Sequence, residues 1–311
     1  MDLDIERGVR GIAALLTGLA GFGYILSRVD PGKVVAATAR MDVGIFLLGL
    51  PLLLSINMLM AYRWQQVLDG KGVFISYPVA VVHQLEAAFV NAFMPARAGD
   101  IYKGYLAPGE RSTLDNTVLV LLERIADLGV LLVLAAIVVV GFFPSGGLLA
   151  YIVLGVLLLA GFALGVTVVW RLEELPLPWG ARIYARLREA LLENLRTDRI
   201  GMLIGVTVVI WLVSVLRHWT TFAALDIDAA VTVIALVSFV WALVSAVPLT
   251  PAGLGAVDAV VYFVLTSFSV AEPVAASFVL LTRLIIQGFQ LITGGVLFVR
   301  RHGTVLVRAV E

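Results

Sequence analysis

Six apolar stretches, at about 8–28, 43–62, 117–143, 147–170, 201–224 and 273–299, are each long enough to cross a bilayer of roughly 30 Å as a helix rising about 1.5 Å per residue. A chain with such stretches can place in lipid only structures that satisfy their own backbone polar groups, which means helices or a closed barrel. The alternating pattern of barrel strands is absent, so the expected class is an all-α polytopic membrane protein. Composition agrees, since apolar residues make up 61% of the 311 residues and charged residues only 14%. The first stretch reaches Leu26, is longer than a signal-peptide core and lacks a small-x-small cleavage pattern, so it is expected to be retained as a span.

Several function classes drop out at this point. Net charge is +0 and no long basic run or aromatic-interleaved basic patch is present, so nucleic acid is not an expected partner. With Cys 0 there is no thiolate nucleophile or cysteine metal site, and His83, His218 and His302 are too scattered to predict a metal centre. No nucleophile elbow, phosphate-cradling loop or H-E-x-x-H pattern occurs, so no catalytic residue and no cofactor are expected.

Within this apolar background one cassette occurs twice. Pro95-Ala96-Arg97-Ala98-Gly99 precedes Leu121-Leu122-Glu123-Arg124-Ile125 and Gly129; Pro251-Ala252-Gly253-Leu254-Gly255 precedes Leu280-Leu281-Thr282-Arg283-Leu284 and Gly288. Gly99 and Gly255 stand 156 positions apart, and Arg124 and Arg283 stand 159 apart, about half the chain. The regions 78–110 and 229–270 each hold an apolar arm, a Pro-Ala-x-x-Gly break and a second arm, and are expected to be re-entrant helical hairpins. Each half, 1–146 and 147–311, then has three spans and one hairpin. An odd number of crossings makes the repeat inverted. Placing both termini in the cytoplasm puts most bases inside, including Arg63, Lys71, Arg97, Lys103 and the cluster from Arg171 to Arg199; only the 29–41 loop, with Lys33 and Arg40, dissents. The stretch 176–199 carries apolar residues every four positions and reads as an amphipathic linker helix on the cytoplasmic surface.

Ionisable residues within such helices are costly and are the first candidates for function. Arg124, expected about seven residues into its helix, has Glu123 beside it and Asp127 at i+3, so it reads equally as a substrate contact or as a helix-locking charge. Arg283 has no acid on its own helix; Asp258 in the second hairpin is its expected partner, and substrate contact is the preferred role. Arg97, Asp100 and Lys103 follow the first break and form a candidate polar mouth, arginine suiting phosphate through its planar two-donor fork. Gln84 and Asn91 share a face of the first hairpin arm, with Glu86 off it; the amides line a cavity or simply bond a neighbouring helix. Arg217 and His218 are expected to snorkel to the outer interface. Asn57 and Gln287 are weaker candidates.

These residues resemble the flippase-like transmembrane domain of lysylphosphatidylglycerol synthases and its stand-alone relatives, over nearly the whole chain. Asn91, Pro95, Arg97, Gly99, Asp100 and Lys103 match the family's first signature, Glu123, Arg124 and Asp127 its second. Pro248, Pro251, Gly253, Gly255 and Asp258, with Arg283 later, match the third. Ala252 replaces a usual Gly, Asp258 a usual Glu and Lys103 a common Arg. The sequence ends soon after Arg301, where full synthases continue into an aminoacyl-transferase domain, so the resemblance implies lipid translocation or binding rather than lipid synthesis.

The expectation is therefore a flippase of the cytoplasmic membrane that moves an anionic phospholipid or lipid-linked head group between leaflets. The alternative is a membrane-embedded enzyme or accessory subunit of lipid-linked sugar or phospholipid metabolism. Membrane lipids are the expected partners, with a second copy of the chain or a separate lipid-modifying enzyme as protein partners.

Overall fold

A computed structural model describes residues 23, 27–94, 98–108, 113–142, 185, 199–246 and 253–310, all helix, turn or connecting chain, with no strand among them. The helices are α1 (Pro31–Ala39), α2 (Val43–Leu47), α3 (Gly49–Asp69), α4 (Tyr77–Phe93), α5 (Ala98–Leu106), α6 (Thr113–Phe142), α7 (Arg199–Ala224), α8 (Val231–Ala246), α9 (Ala256–Ser267), α10 (Glu272–Phe289) and α11 (Gly295–Val310); a π-helical turn, Gln290–Gly294, links the last two. Three rods are long and apolar enough to cross a membrane: Val43–Asp69, Arg199–Ala224 and Glu272–His302. The apolar pair α8 and α9 is shorter, 16 and 12 residues. The stretches expected at 8–28 and 147–170 and the linker helix at 176–199 lie almost entirely outside the described residues, as does the 146/147 boundary.

Local chemistry explains where these helices begin and end. Asp30 accepts the amide of Gly32 at 2.8 Å with Pro31 at the first helical position, and Asp42 accepts the amide of Ile45 at 2.9 Å, so the acid within the expected 29–41 loop and the one just after it are helix caps. That loop contains α1 as a result. The span expected to stop at 62 continues to Asp69, because no Gly or Pro interrupts Tyr62 to Leu68 and Gly70 is the first break. This carries Arg63 out of the loop in which charge counting placed it and into the helix. Likewise α6 begins at Thr113, which sets Arg124 eleven residues in rather than seven, and the last span runs on past 299 into α11.

Both Pro-Ala breaks separate two packed helices. The pair α4 and α5 encloses the first, and α8 and α9 the second. Helices α3 and α7 lie antiparallel and are tied at both ends: Arg199 donates to the carbonyl of Gln66 at 2.8 Å, and the amide of Asp42 donates to the carbonyl of Ala224 at 2.8 Å. Two apolar cores form, one mainly from each half, with Leu203 joining the first and Val29 the second. Trp64, Leu68, Ala80 and Leu119 anchor the first, and Phe222, Val237, Val261, Leu265 and Phe278 the second. A third cluster, Phe46, Leu53, Leu85, Leu281 and Ile285, joins them. The opposite faces, including Val133, Ile137, Leu212, Phe263, Leu284 and Ile292, are exposed and apolar, as helices facing hydrocarbon require.

The closest backbone approaches occur at two glycines. A Cβ on Gly99 of α5 would stand 2.0 Å from the carbonyl oxygen of Ala87, and one on Gly294 of the π turn 2.2 Å from that of Leu85, so α4 is gripped on two sides by backbone alone. Gly288 has nothing within 4 Å of the same position. Gly99→Ala and Gly294→Ala are expected to lower the melting temperature of the detergent-solubilised protein, whereas Gly288→Ala leaves it unchanged or raises stability by up to about 1 kcal/mol through helix propensity.

Candidate functional site

The charged residues of the first half assemble into one chain of alternating sign. On α6, Glu123 accepts from Lys103 Nζ at 2.6 Å and from Arg63 Nε at 3.2 Å. Arg63 also grips Asp127 with both terminal nitrogens, Nη2 at 3.1 Å, and donates to the hydroxyl of Thr207 on α7 at 2.8 Å. Asp127 in turn pairs with Arg124 Nη1 at 2.9 Å, and Arg124 Nε lies 3.2 Å from Asp100. Asp100 accepts from Asn91 at 3.1 Å, and Asn91 accepts the Gly99 amide at 2.8 Å. Three cations and three anions from α3, α5 and α6 thus cancel, and Arg63, Lys103 and Glu123 are wholly enclosed. Burial on this scale is tolerable only because each charge has a partner and further hydrogen bonds. Lys103 is additionally held by Gln84 at 3.3 Å and by the face of Trp64, 4.7 Å from its ring centre.

A second, smaller pair belongs to the second half. Arg283 Nε lies 2.6 Å from Asp258 Oδ1 and its Nη2 donates to the carbonyl of Gly253 at 2.8 Å, with Trp241 5.0 Å away. The other oxygen of Asp258 accepts the amide of Gly255 at 2.7 Å and so caps α9. Gly253 and Gly255 have φ of +66° and +77°, conformations that a side chain would strain, which is why this break is glycine-rich. The shorter acid at 258 therefore reaches its arginine, as expected, while fixing the turn.

Between these assemblies lies a cavity of about 470 Å³. Asn91, Asp100, Arg124 and Asp127 from the first half line it, and so do Arg217, Trp241, Gly253, Arg283 and Gln287 from the second. Of the predicted site residues, Lys103, Glu123, Gln84, Gly99, Gly255 and Asp258 stand behind the wall rather than in it. Arg97, Pro95 and Pro251 lie outside the described residues. Asn57 bonds only the carbonyl of Leu53 on its own helix, at 2.8 Å. Glu86 instead joins the far end of the chain: buried, it accepts from Arg301 at 2.9 Å and Tyr102 at 3.2 Å.

Two expectations are corrected. Arg63, counted as a cytoplasmic loop base, is the hub of the ion-pair chain; the uninterrupted helical sequence from 62 to 68 was the available signal. Arg217 and His218 do not snorkel to an interface, being only 4% and 2% exposed and enclosed by α8 and α10. Arg217 lies seven residues before the end of α7, which leaves nearly two further turns of helix, and Trp241 and Phe278 pack against the His218 ring.

Helices long and apolar enough to cross a membrane, with a cavity between helices that is lined by charged side chains, define a helical membrane protein with an internal polar site. The model of the lysylphosphatidylglycerol synthase TM region matches residues 11–294, and the chain belongs to that family. It is also similar to a UPF0104 membrane protein of Methanothermobacter thermautotrophicus, 23% identical over 307 residues that cover 89% of this chain and 91% of that protein.

Removing a buried partner leaves its neighbours charged and unpaired. Arg63→Met is expected to destabilise the fold by about 3–5 kcal/mol, and Arg63→Met combined with Asp127→Asn, which leaves the Lys103–Glu123 and Arg124–Asp100 pairs intact, to recover a large part of that loss. Thermal unfolding of the purified variants in one detergent measures both.

Proposed function

We propose that the protein is a lipid flippase that passes an anionic head group through the cavity while the acyl or prenyl chains stay in the bilayer. The observation that carries this reading is a cavity among apolar helices whose walls present arginines from both halves of the chain. A guanidinium offers phosphate two parallel charge-assisted hydrogen bonds, and within a low-dielectric site these count for more than in water. In the empty site Asp100, Asp127 and Asp258 occupy Arg124 and Arg283; a head-group phosphate exchanges for these carboxylates, so the arginines are never left bare.

The two halves supply a route. Read as inverted repeats, they bring their Pro-Ala hairpins in from opposite faces, and the antiparallel packing of α3 against α7 supports that inversion. Rocking of one half on the other would open the cavity to each leaflet in turn, with both termini and the capture residue Arg97 on the cytoplasmic side of the cell membrane, while Lys103, buried against Glu123, supports the wall. No nucleotide site is called for, so movement is passive or ion-coupled and the protein is not an enzyme. A second copy of the chain and a separate lipid-modifying enzyme are its proposed protein partners.

Purified protein in liposomes should translocate fluorescent phosphatidylglycerol. Arg283→Gln and Arg124→Gln, compared at equal folded fraction, should slow it about 10- to 100-fold, the loss expected for charge-assisted hydrogen bonds to the head group. Wild-type protein that moves no lipid in any lipid composition would sink the reading; turnover of a lipid-linked sugar in detergent, where no two sides exist, would favour the enzyme alternative.

A further inference from the structure

Among the described residues the buried charges are paired except at one place. The six-membered chain of the first half sums to zero, and Arg283 is matched by Asp258. Arg217 has no carboxylate partner among the described residues. Its Nη2 sits 2.6 and 2.9 Å from the two ring nitrogens of His218, its Nη1 has no hydrogen-bond partner, and the side chain lines the cavity while 96% of the residue is withdrawn from solvent. The His218 tautomer that satisfies its surroundings donates from Nδ1 to the carbonyl of Ser214, 3.1 Å away, and leaves Nε2 as a neutral acceptor for Arg217.

The two halves differ in the acids they place near such arginines. Buried arginines occur on both long helices, Arg63 on α3 and Arg217 on α7, although at the 156-residue offset of the cassette glycines Arg63 falls on Trp219 rather than on Arg217. Arg63 is neutralised by Glu123 and Asp127. At the 159-residue offset that relates Arg124 to Arg283, those acids fall on Thr282 and Ile286. The first copy closes its charge internally and the second does not. Guanidinium stays charged in proteins, so the cavity as built is short of one anion.

We propose that Arg217 is the primary anchor for a phosphate-bearing anion in the cavity, taking a phosphate group on its unpartnered Nη1 while His218 holds Nη2. This rests on the reading of the cavity as a head-group site, but assigns first capture to a residue outside the duplicated cassette. Arg124 and Arg283 must give up carboxylates to bind; Arg217 surrenders none, so it is the cation that draws the anion in.

Three variants in detergent or nanodiscs test this: wild type, Arg217→Gln, and Ser214→Asp, which keeps Arg217 and sets a carboxylate at i, i+3 on the cavity side of α7, the spacing by which Asp127 holds Arg124. Thermal stability and affinity are measured with phosphatidylglycerol, with phosphatidylcholine, and with soluble glycerol phosphate or inorganic phosphate. Wild type should gain stability with phosphatidylglycerol and not with phosphatidylcholine, and both variants should lose at least about thirtyfold in affinity, as when one partner of a buried charged contact is removed. Without anion, both variants should melt at or above the wild-type temperature, which a merely structural arginine would not allow. Protection by soluble phosphate that also depends on Arg217 supports the same anchor and assigns its ligand to water rather than lipid. Unchanged affinity in both variants, or a wild type indifferent to every anion, overturns the proposal. Lipid translocation by the same preparations keeps the two readings apart: variants that bind and transport like wild type reject Arg217 and leave the flippase standing, while Arg217-dependent binding without transport does the reverse.

Discussion

The structure depends above all on the cost of placing charge where water cannot follow. An isolated ion moved into a low-dielectric interior loses solvation worth many kilocalories per mole, and only partners with good geometry restore it. Here the restoration is serial. Lys103, Glu123, Arg63, Asp127, Arg124 and Asp100 alternate in sign across three helices, each carboxylate bridging two cations or a cation and an amide. Because the chain includes members of α3, α5 and α6, those helices have one mutual arrangement in which every charge is met. A slip of any one by a turn would strand at least two of them.

The hairpins follow from the same constraint. A break between helices exposes amides and carbonyls, and both breaks are stitched by polar side chains tied to the ion pairs: the Asn91 side chain, which also donates to Asp100, receives the Gly99 amide, Asp258 receives the Gly255 amide, and Arg283 donates to the Gly253 carbonyl. Ion pairing and turn formation are therefore one structural event. Glycine at 99 and 294 lets the neighbouring segments reach α4 at backbone distance, and the π turn beside Gln290 sits on the cavity wall, where such irregularities commonly accompany function.

Membership in the lysylphosphatidylglycerol synthase TM family places this fold among lipid-related membrane proteins. The cavity adds a chemical asymmetry that the family assignment alone does not contain. Its first-half wall is electrically closed, whereas its second-half wall carries Arg217 with His218 as a neutral neighbour. An asymmetric site of this kind suits a carrier that must hold an anion firmly enough to desolvate it and loosely enough to release it.

Much of this was legible in the sequence because it follows from local rules. Apolar length required helices, Pro-Ala-x-x-Gly marked the two breaks, and the shortage of acids near Arg283 singled out Asp258 as its mate. Helix ends were less legible: Tyr62 to Leu68 contains no stop signal, but charge at 63 mimicked one. What the sequence by itself determined is the solvent, the helices and the duplicated cassette, since each depends on neighbours within a few residues or on a repeat visible by alignment with itself. Only the tertiary structure decided which cation meets which anion. Arg63 and Glu123 are sixty residues apart, and Arg217 differs from Arg63 through acids present on one distant helix and absent from another; charge balance is a sum over space, which no local stretch contains.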